Sequence, residues 1–279
     1  MSSPLRNLKI SALSLLALQI LLVVTGGLVR LTGSGLGCPT WPKCTADSYK
    51  PVQSQPQIHA WIEFGNRLLT FALFASALLT LILVYKSLRR ELLYLAWLQV
   101  AGIFGQGILG GITVLTKLNP LPVAGHLLLS MCLIAGATSL HYRIDHSVEQ
   151  DDEAIARSLA TIAFLTLIAG TIVTGSGPHA GDWQAKRFPI EIQLAAKYHG
   201  TLVAMTLLTA IYIAIKFPRR SVNFLLIVLI GQGLIGLIQW WQGLPQALVG
   251  AHLFGAALFW FATWRTRLTF KFKNQKGQI

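Results

Sequence analysis

The chain has 279 residues, of which 53% are hydrophobic and only 12% charged, about half the charged share of an ordinary soluble domain. That composition excludes a soluble globular protein and points to an integral membrane protein. The net charge of +13 does not signal nucleic acid: no separate basic domain carries it, and the basic residues fall between apolar runs.

Eight apolar runs follow in order, over 10–30, 58–85, 92–114, 121–142, 157–175, 192–215, 222–242 and 245–264. Each has about the 20 residues that a helix needs to cross a bilayer. Helices are required because lipid cannot satisfy an open backbone. The first run has no cleavage motif after it and continues into a motif-rich loop, so it reads as a span and not as a removed signal peptide.

In that first loop "TGSG" stands at 32–35, and Cys38 and Cys44 bracket "PTWPK". So short a Pro-rich loop on an oxidising face permits a disulfide. Two roles compete for the pair: a structural clip, or a redox pair that passes electrons. The second span opens on "WIEFGNRLLT", with Glu63, Asn66 and Arg67 just inside an apolar run. Glu63 and Arg67 stand four apart in the favourable order for an intrahelical pair. Either they merely neutralise each other, or Glu63 faces a reacting group.

The third span carries "GQGILGG" at 105–111, and the fourth carries His126 in "VAGHLLLSM" with Cys132 deeper in, read as packing. A charged linker, "RIDHSVEQDDEAIAR", runs from 143 to 157. His141 and His146 near it read as surface residues. "TGSG" recurs at 174–177, and His179 follows in an outer loop, read as solvated. The sixth span holds His199 in "AAKYHGTLVAM", the seventh "GQGLIGL" at 231–237, and the eighth His252 in "LVGAHLFGAAL".

Gln106 precedes His126 by 20 residues, and Gln232 precedes His252 by the same 20. The chain thus reads as two four-helix halves, 1–142 and 158–279, joined by the linker over 143–157. Four spans is an even number, so both halves enter from one side. Such parallel repeats are related by a pseudo-two-fold axis along the membrane normal. The Gly-rich third and seventh spans suit close helix packing. Fifteen Lys and Arg lie on the side of the termini and seven on the other, which places both termini in the cytoplasm.

His126, His199 and His252 each lie a few residues past the outer end of an even-numbered span. They therefore share a depth in the outer half. Imidazole inside a membrane is costly and usually functional. Two such rings on facing helices can clamp a planar metal macrocycle from both sides, as in axial haem ligation. Zinc fits less well, since a closed zinc site takes four ligands and no thiolate is near. Singly, each ring could instead make a helix-to-helix hydrogen bond.

These residues resemble the haem A synthase family, the membrane enzymes that convert haem O to haem A. The resemblance covers most of the chain. Its strongest piece is "TGGLVRLTGSGLGCPTWPKC" at 25–44, supported by "IEFGNR" at 62–67, the "GQG" of the third span, His126, His199 and His252. It implies an all-α membrane fold of eight spans in two four-helix halves. It also implies a haem b held by His199 and His252, and a substrate haem taken by the N-terminal half. The family has a Glu, a His three residues on, and then Arg in the second span; here the His is replaced by Asn66. His126 is then the one strong ligand of the substrate haem, with an open sixth position near Asn66. His59 is either a shifted ligand or a rim residue. The resemblance points to Glu63 as catalytic, with Arg67 and Arg30 suited to haem propionates, and it carries over the Cys38–Cys44 pair. Haem O and haem A follow as substrate and product. Haem O synthase and the cytochrome oxidase assembly machinery follow as partners, and the plasma membrane as the location. Two other classes stay open: a b-type cytochrome that only carries electrons, and a haem carrier or transporter without catalysis.

Overall fold

The computed structural model describes residues 3–51, 57–146, 148–149, 154–182 and 185–273. Among the described residues eight long helices dominate: α1 (Ser3–Leu31), α2 (Gln57–Lys86), α3 (Leu93–Leu115), α4 (Pro120–Arg143), α5 (Ala154–Ser176), α6 (Ile192–Lys216), α7 (Arg220–Trp241) and α8 (Gln246–Lys271). All eight are long and apolar enough to cross a bilayer. The chain is a multi-pass, all-helical membrane protein. Two residue pairs add a minimal antiparallel ribbon, β1 (Val148–Glu149) with β2 (Phe272–Lys273).

All eight expected spans are present, and two extend well beyond their apolar runs. α1 starts at Ser3 and α8 ends at Lys271, against expected limits of 10 and 264. Hydropathy marks where lipid ends, whereas a helix continues while its backbone bonds do. The Arg267 guanidinium lies over the Trp264 ring at 4.8 Å, which lets a charged residue extend the helix beyond the apolar core. Of the expected linker, residues 147 and 150–153 lie outside the described residues. Its other parts are partly ordered: 148–149 pair with the C-terminal segment, and α5 already begins at Ala154.

Within the first half α1, α2, α3 and α4 pack as a closed ring of neighbours, and α5 to α8 do the same in the second. The halves meet through α4 on α8, α1 on α8 and α4 on α5. One apolar core runs through both, from Leu15 and Ile103 through Met131 and Ile134 to Leu159 and Trp260. Two indoles pin this seam: Trp260 Nε1 donates to Met131 O at 2.7 Å, and Trp264 Nε1 to Ser139 Oγ at 2.7 Å. Opposite faces, such as Phe71, Ile227 and Trp241, stay exposed, as lipid-facing positions should.

The 126-residue offset holds at the level of backbone bonds. After α3, Lys117 and Leu118 are left-handed and Leu118 N donates to Thr113 O. After α7, Gly243 and Leu244 repeat the turn, and Leu244 N donates to Gln239 O. Each turn launches the next helix from the same point. Asn119 caps α4 by accepting from Leu121 N ahead of Pro120 at the first turn, a standard start signal. His126 stands six residues after Pro120, His252 six after Gln246 and His199 seven after Ile192. The expected shared depth follows directly from these starts.

Trp260→Ala should lower stability by about 3–5 kcal/mol, the usual cost of emptying a buried aromatic site. Trp260→Phe should cost about 1 kcal/mol for the lost hydrogen bond. Thermal unfolding of the detergent-solubilised protein measures both.

Candidate functional site

The C-terminal half brings His199 of α6 and His252 of α8 together across the ring of helices. Their ring centres lie 6.5 Å apart, with planes at 76°. Two imidazoles bound to opposite faces of one metal, with metal–nitrogen bonds of about 2 Å, put their ring centres about 6 Å apart. The observed pair fits that spacing without direct ring contact. Among the described residues no three His, Cys, Asp or Glu gather as a metal cage, so a macrocycle with its own nitrogens suits the pair better than a bare ion.

The tautomer of His199 is set by its surroundings. Its Nδ1 lies 3.0 Å from Thr166 O. A carbonyl can only accept, so Nδ1 carries the proton and Nε2 keeps its lone pair. Opposite each ring stands a glycine. A Cβ at Gly170 would lie 3.3 Å from His199 Cε1, and one at Gly236 would lie 3.1 Å from His252 Cε1. The first half repeats this, with Gly110 at 3.2 Å from His126 Cε1. A larger residue at any of the three would push the ring off its position.

His126 and His252 share a further pattern. Gln106 Nε2 donates to His126 O at 3.0 Å, and Gln232 Nε2 to His252 O at 2.6 Å. In both halves the histidine Nδ1 and the glutamine Oε1 are buried without a protein partner. Sequence reading took the "GQG" segments as packing motifs. The glutamines are positioning residues that hold the turn of helix carrying each imidazole. Their signal was present in the equal 20-residue spacing.

On α2 the position expected to supply a second ligand holds Asn66, not an imidazole. Its Oδ1 accepts from Thr25 Oγ1 at 2.7 Å, and its Nδ2 lies 4.0 Å from the Cβ position of Gly26. It therefore sits beside a glycine of the preceding helix, as His199 does. His59 stands outside this level, with Nδ1 at 2.8 Å from the buried Ser34 Oγ.

The disulfide Cys38–Cys44 is formed, and its loop closes the outer end of the first half. Glu63, 6% exposed, accepts from Cys38 N at 2.7 Å through Oε2. Its Oε1 takes Arg67 Nη2 at 2.5 Å and Nε at 3.1 Å. Arg67 also donates to Cys38 O, Thr40 O and Lys43 O. Trp41 lies flat against Gly111 of α3, where a Cβ would overlap the indole. Both arms of the Arg67 fork are thus engaged by the loop and by Glu63, with one Nη1 N–H left over for a further acceptor.

Arg30 reaches across the seam: Nε donates to His179 O at 2.5 Å and Nη2 to Thr174 O at 2.8 Å. It ties the end of α1 to the end of α5. His179 is not solvated as expected. It is half-buried and its Nε2 donates to Leu244 O at 2.8 Å, because the α5–α6 and α7–α8 connections of the second half meet there. Cys132 is exposed on the flank of the bundle, not packed inside, since its side of α4 faces away from the core. His146 stacks on Tyr142 with ring centres 4.1 Å apart.

Comparison with known proteins agrees with this layout. The family model of the cytochrome oxidase assembly proteins (COX15-CtaA) matches residues 9–179, which takes in most of the first half and α5. A heme A synthase from Geobacillus kaustophilus is 32% identical over 117 residues, 40% of this chain and 35% of that protein. One from Lysinibacillus sphaericus is 38% identical over 101 residues, 36% of this chain and 32% of that protein. One from Bacillus cereus is 30% identical over 117 residues, 41% of this chain and 36% of that protein. The matched stretch spans about a third of the length of each relative.

Arg67→Gln should loosen the loop. Losing a charge-assisted bond of about 1.5 kcal/mol should speed reduction of Cys38–Cys44 by dithiothreitol about tenfold. Timed thiol labelling reads this directly.

Proposed function

The chain belongs to the cytochrome oxidase assembly protein family, and from that premise we propose that it is a haem A synthase, oxidising a ring methyl of haem O to the formyl group of haem A. The observation that carries this reading is the His199–His252 pair at 6.5 Å on opposite helices of one bundle. Those two residues would hold a haem b, which supplies one-electron transfer when bound. His199 is held through Thr166 O and His252 through the turn fixed by Gln232. With an imidazole on each face, such a haem would have no open position for a reacting ligand.

The substrate haem belongs in the N-terminal half, between α2 and α4. His126 supplies one strong ligand there, and Asn66 faces it as a weak one. A weak position suits a molecule that must enter, react and leave. Glu63 lies one helical turn outward from Asn66 and is held ionised-side-in by Arg67 and Cys38 N. We assign it the role of a fixed negative charge that stabilises positive charge as the methyl is oxidised. Arg67 keeps that carboxylate in place. The disulfide loop excludes water from the outer mouth and serves as a clip.

Three coarser features support the setting. Each contact between halves has a repeat counterpart, α1 on α8 matching α5 on α4, which supports a pseudo-two-fold axis along the membrane normal. The 1–142 and 158–279 halves then divide the substrate and electron-transfer tasks. The excess of basic residues near the termini supports cytoplasmic ends and the plasma membrane as location. An enzyme supplying haem O and the assembly machinery that receives haem A are the partners this reading requires. A purely electron-carrying cytochrome would need a second imidazole opposite His126, and α2 offers Asn66.

Co-expression with a haem O source, followed by haem extraction, tests the proposal: new haem A supports it, and unchanged haem O overturns it. Glu63→Ala should retain haem b and lose nearly all haem A, a drop of about 10²-fold or more for a lost electrostatic contact. Normal haem A from that variant removes Glu63 from catalysis. His252→Ala should abolish the bis-imidazole spectrum while the membrane-inserted protein still accumulates.

A further inference from the structure

At the end of the bundle opposite the histidines, a cavity of about 470 Å³ opens between α4, α7 and α8. Arg219, Arg220 and Arg265 converge on it, together with Tyr142, His146 and Phe224. Among the described residues no carboxylate lines it. Three guanidinium groups around one cavity repel one another, and an arrangement of that kind is favourable when an anion sits among them.

The three arginines differ in freedom. Arg219 is fixed in place, with its guanidinium 4.1 Å over the Phe270 ring and an N–H donated to Thr269 O. Arg220 and Arg265 are exposed and have no hydrogen bond or ion pair among the described residues. The nearby carboxylate of Asp145 is taken by Lys9. One anchored guanidinium and two without a partner among the described residues thus surround the cavity. Arg220 also opens α7, so the unpaired N–H groups of the first turn add to the positive potential.

The wall of the cavity changes character along α7. Phe224 lines it at 41% exposure, and Ile227 and Ile230 continue the same exposed strip toward the membrane interior. A purely ionic site has no use for an apolar strip leading from it. An amphiphile with a charged head and an apolar tail fits both parts.

We infer that this cavity is a binding site for a phosphate group, presented by an anionic phospholipid whose acyl chain lies along Phe224 and Ile227. Basic pockets between membrane helices on this level are recognised by such headgroups. The bound lipid would cross-brace α7 and α8 to α4 and so steady the seam between the halves.

The test uses the full-length protein in detergent. Native mass spectrometry with added phosphatidylglycerol, phosphatidylcholine or inorganic phosphate compares wild type with the double variant Arg220→Gln/Arg265→Gln. The wild type should retain about one phosphatidylglycerol in preference to phosphatidylcholine. The double variant should bind it at least about tenfold more weakly, as two lost cations near a headgroup predict. Its haem content should not change, which shows that it has folded. A control pair outside the cavity, Arg6→Gln/Arg90→Gln, should bind like wild type. Equal retention by wild type and the double variant overturns the site. Tight binding of inorganic phosphate, lost in the double variant, overturns the lipid as the source and leaves a phosphate site. Equal loss in the control pair also overturns the proposal, because it reports general surface charge.

Discussion

An imidazole placed in hydrocarbon must have its ring held and its polar atoms answered, and the fold is arranged around that demand. His126, His199 and His252 enter at the same level because their helices begin at matching points. Each ring lies against a glycine of the neighbouring helix. Each is steadied through the backbone: Thr166 O takes one ring N–H, and the glutamines at 106 and 232 hold the turns that carry the other two. For His199 the bond from Nδ1 leaves Nε2 with its lone pair free, while the Nδ1 atoms of His126 and His252 are buried without a protein partner.

The two halves apply the same frame to different ends. In the second half both positions are imidazoles, and the pair at 6.5 Å suits a cofactor that stays. In the first half one position is Asn66, bonded to Thr25, and the outer mouth is closed by a loop that the second half lacks. Glu63 and Arg67 anchor that loop through Cys38, Thr40 and Lys43. A buried ion pair is seldom a large source of stability by itself, but removal of one partner is costly. Here the pair also holds the loop that carries the disulfide and Trp41, so it shapes the outer mouth of the first half.

The seam between the halves is both apolar and polar. Trp260 and Trp264 bond across it in the core, and Arg30 bonds across it at the outer end. At the other end the β1–β2 pairing joins the linker to the segment after α8. These ties link the C-terminal half to the N-terminal half at three levels along the helices.

Much of this was readable from residue order. The eight spans, the two-fold repetition, the common depth of the histidines and the short disulfide loop are local or periodic features. Hydropathy, spacing and loop length report such features without any knowledge of neighbours. The helix ends at Ser3 and Lys271 were not readable, because backbone bonding outlasts the apolar run. Nor could residue order tell what Arg67 and Arg30 would touch. A guanidinium binds whatever acceptors the fold brings within reach, and here those are loop carbonyls far along the chain. The same holds for His179, drawn out of solvent by Leu244 O, and for Cys132, turned outward by the rotation of α4. Periodicity states which face of a helix is apolar; only packing decides which neighbour that face meets.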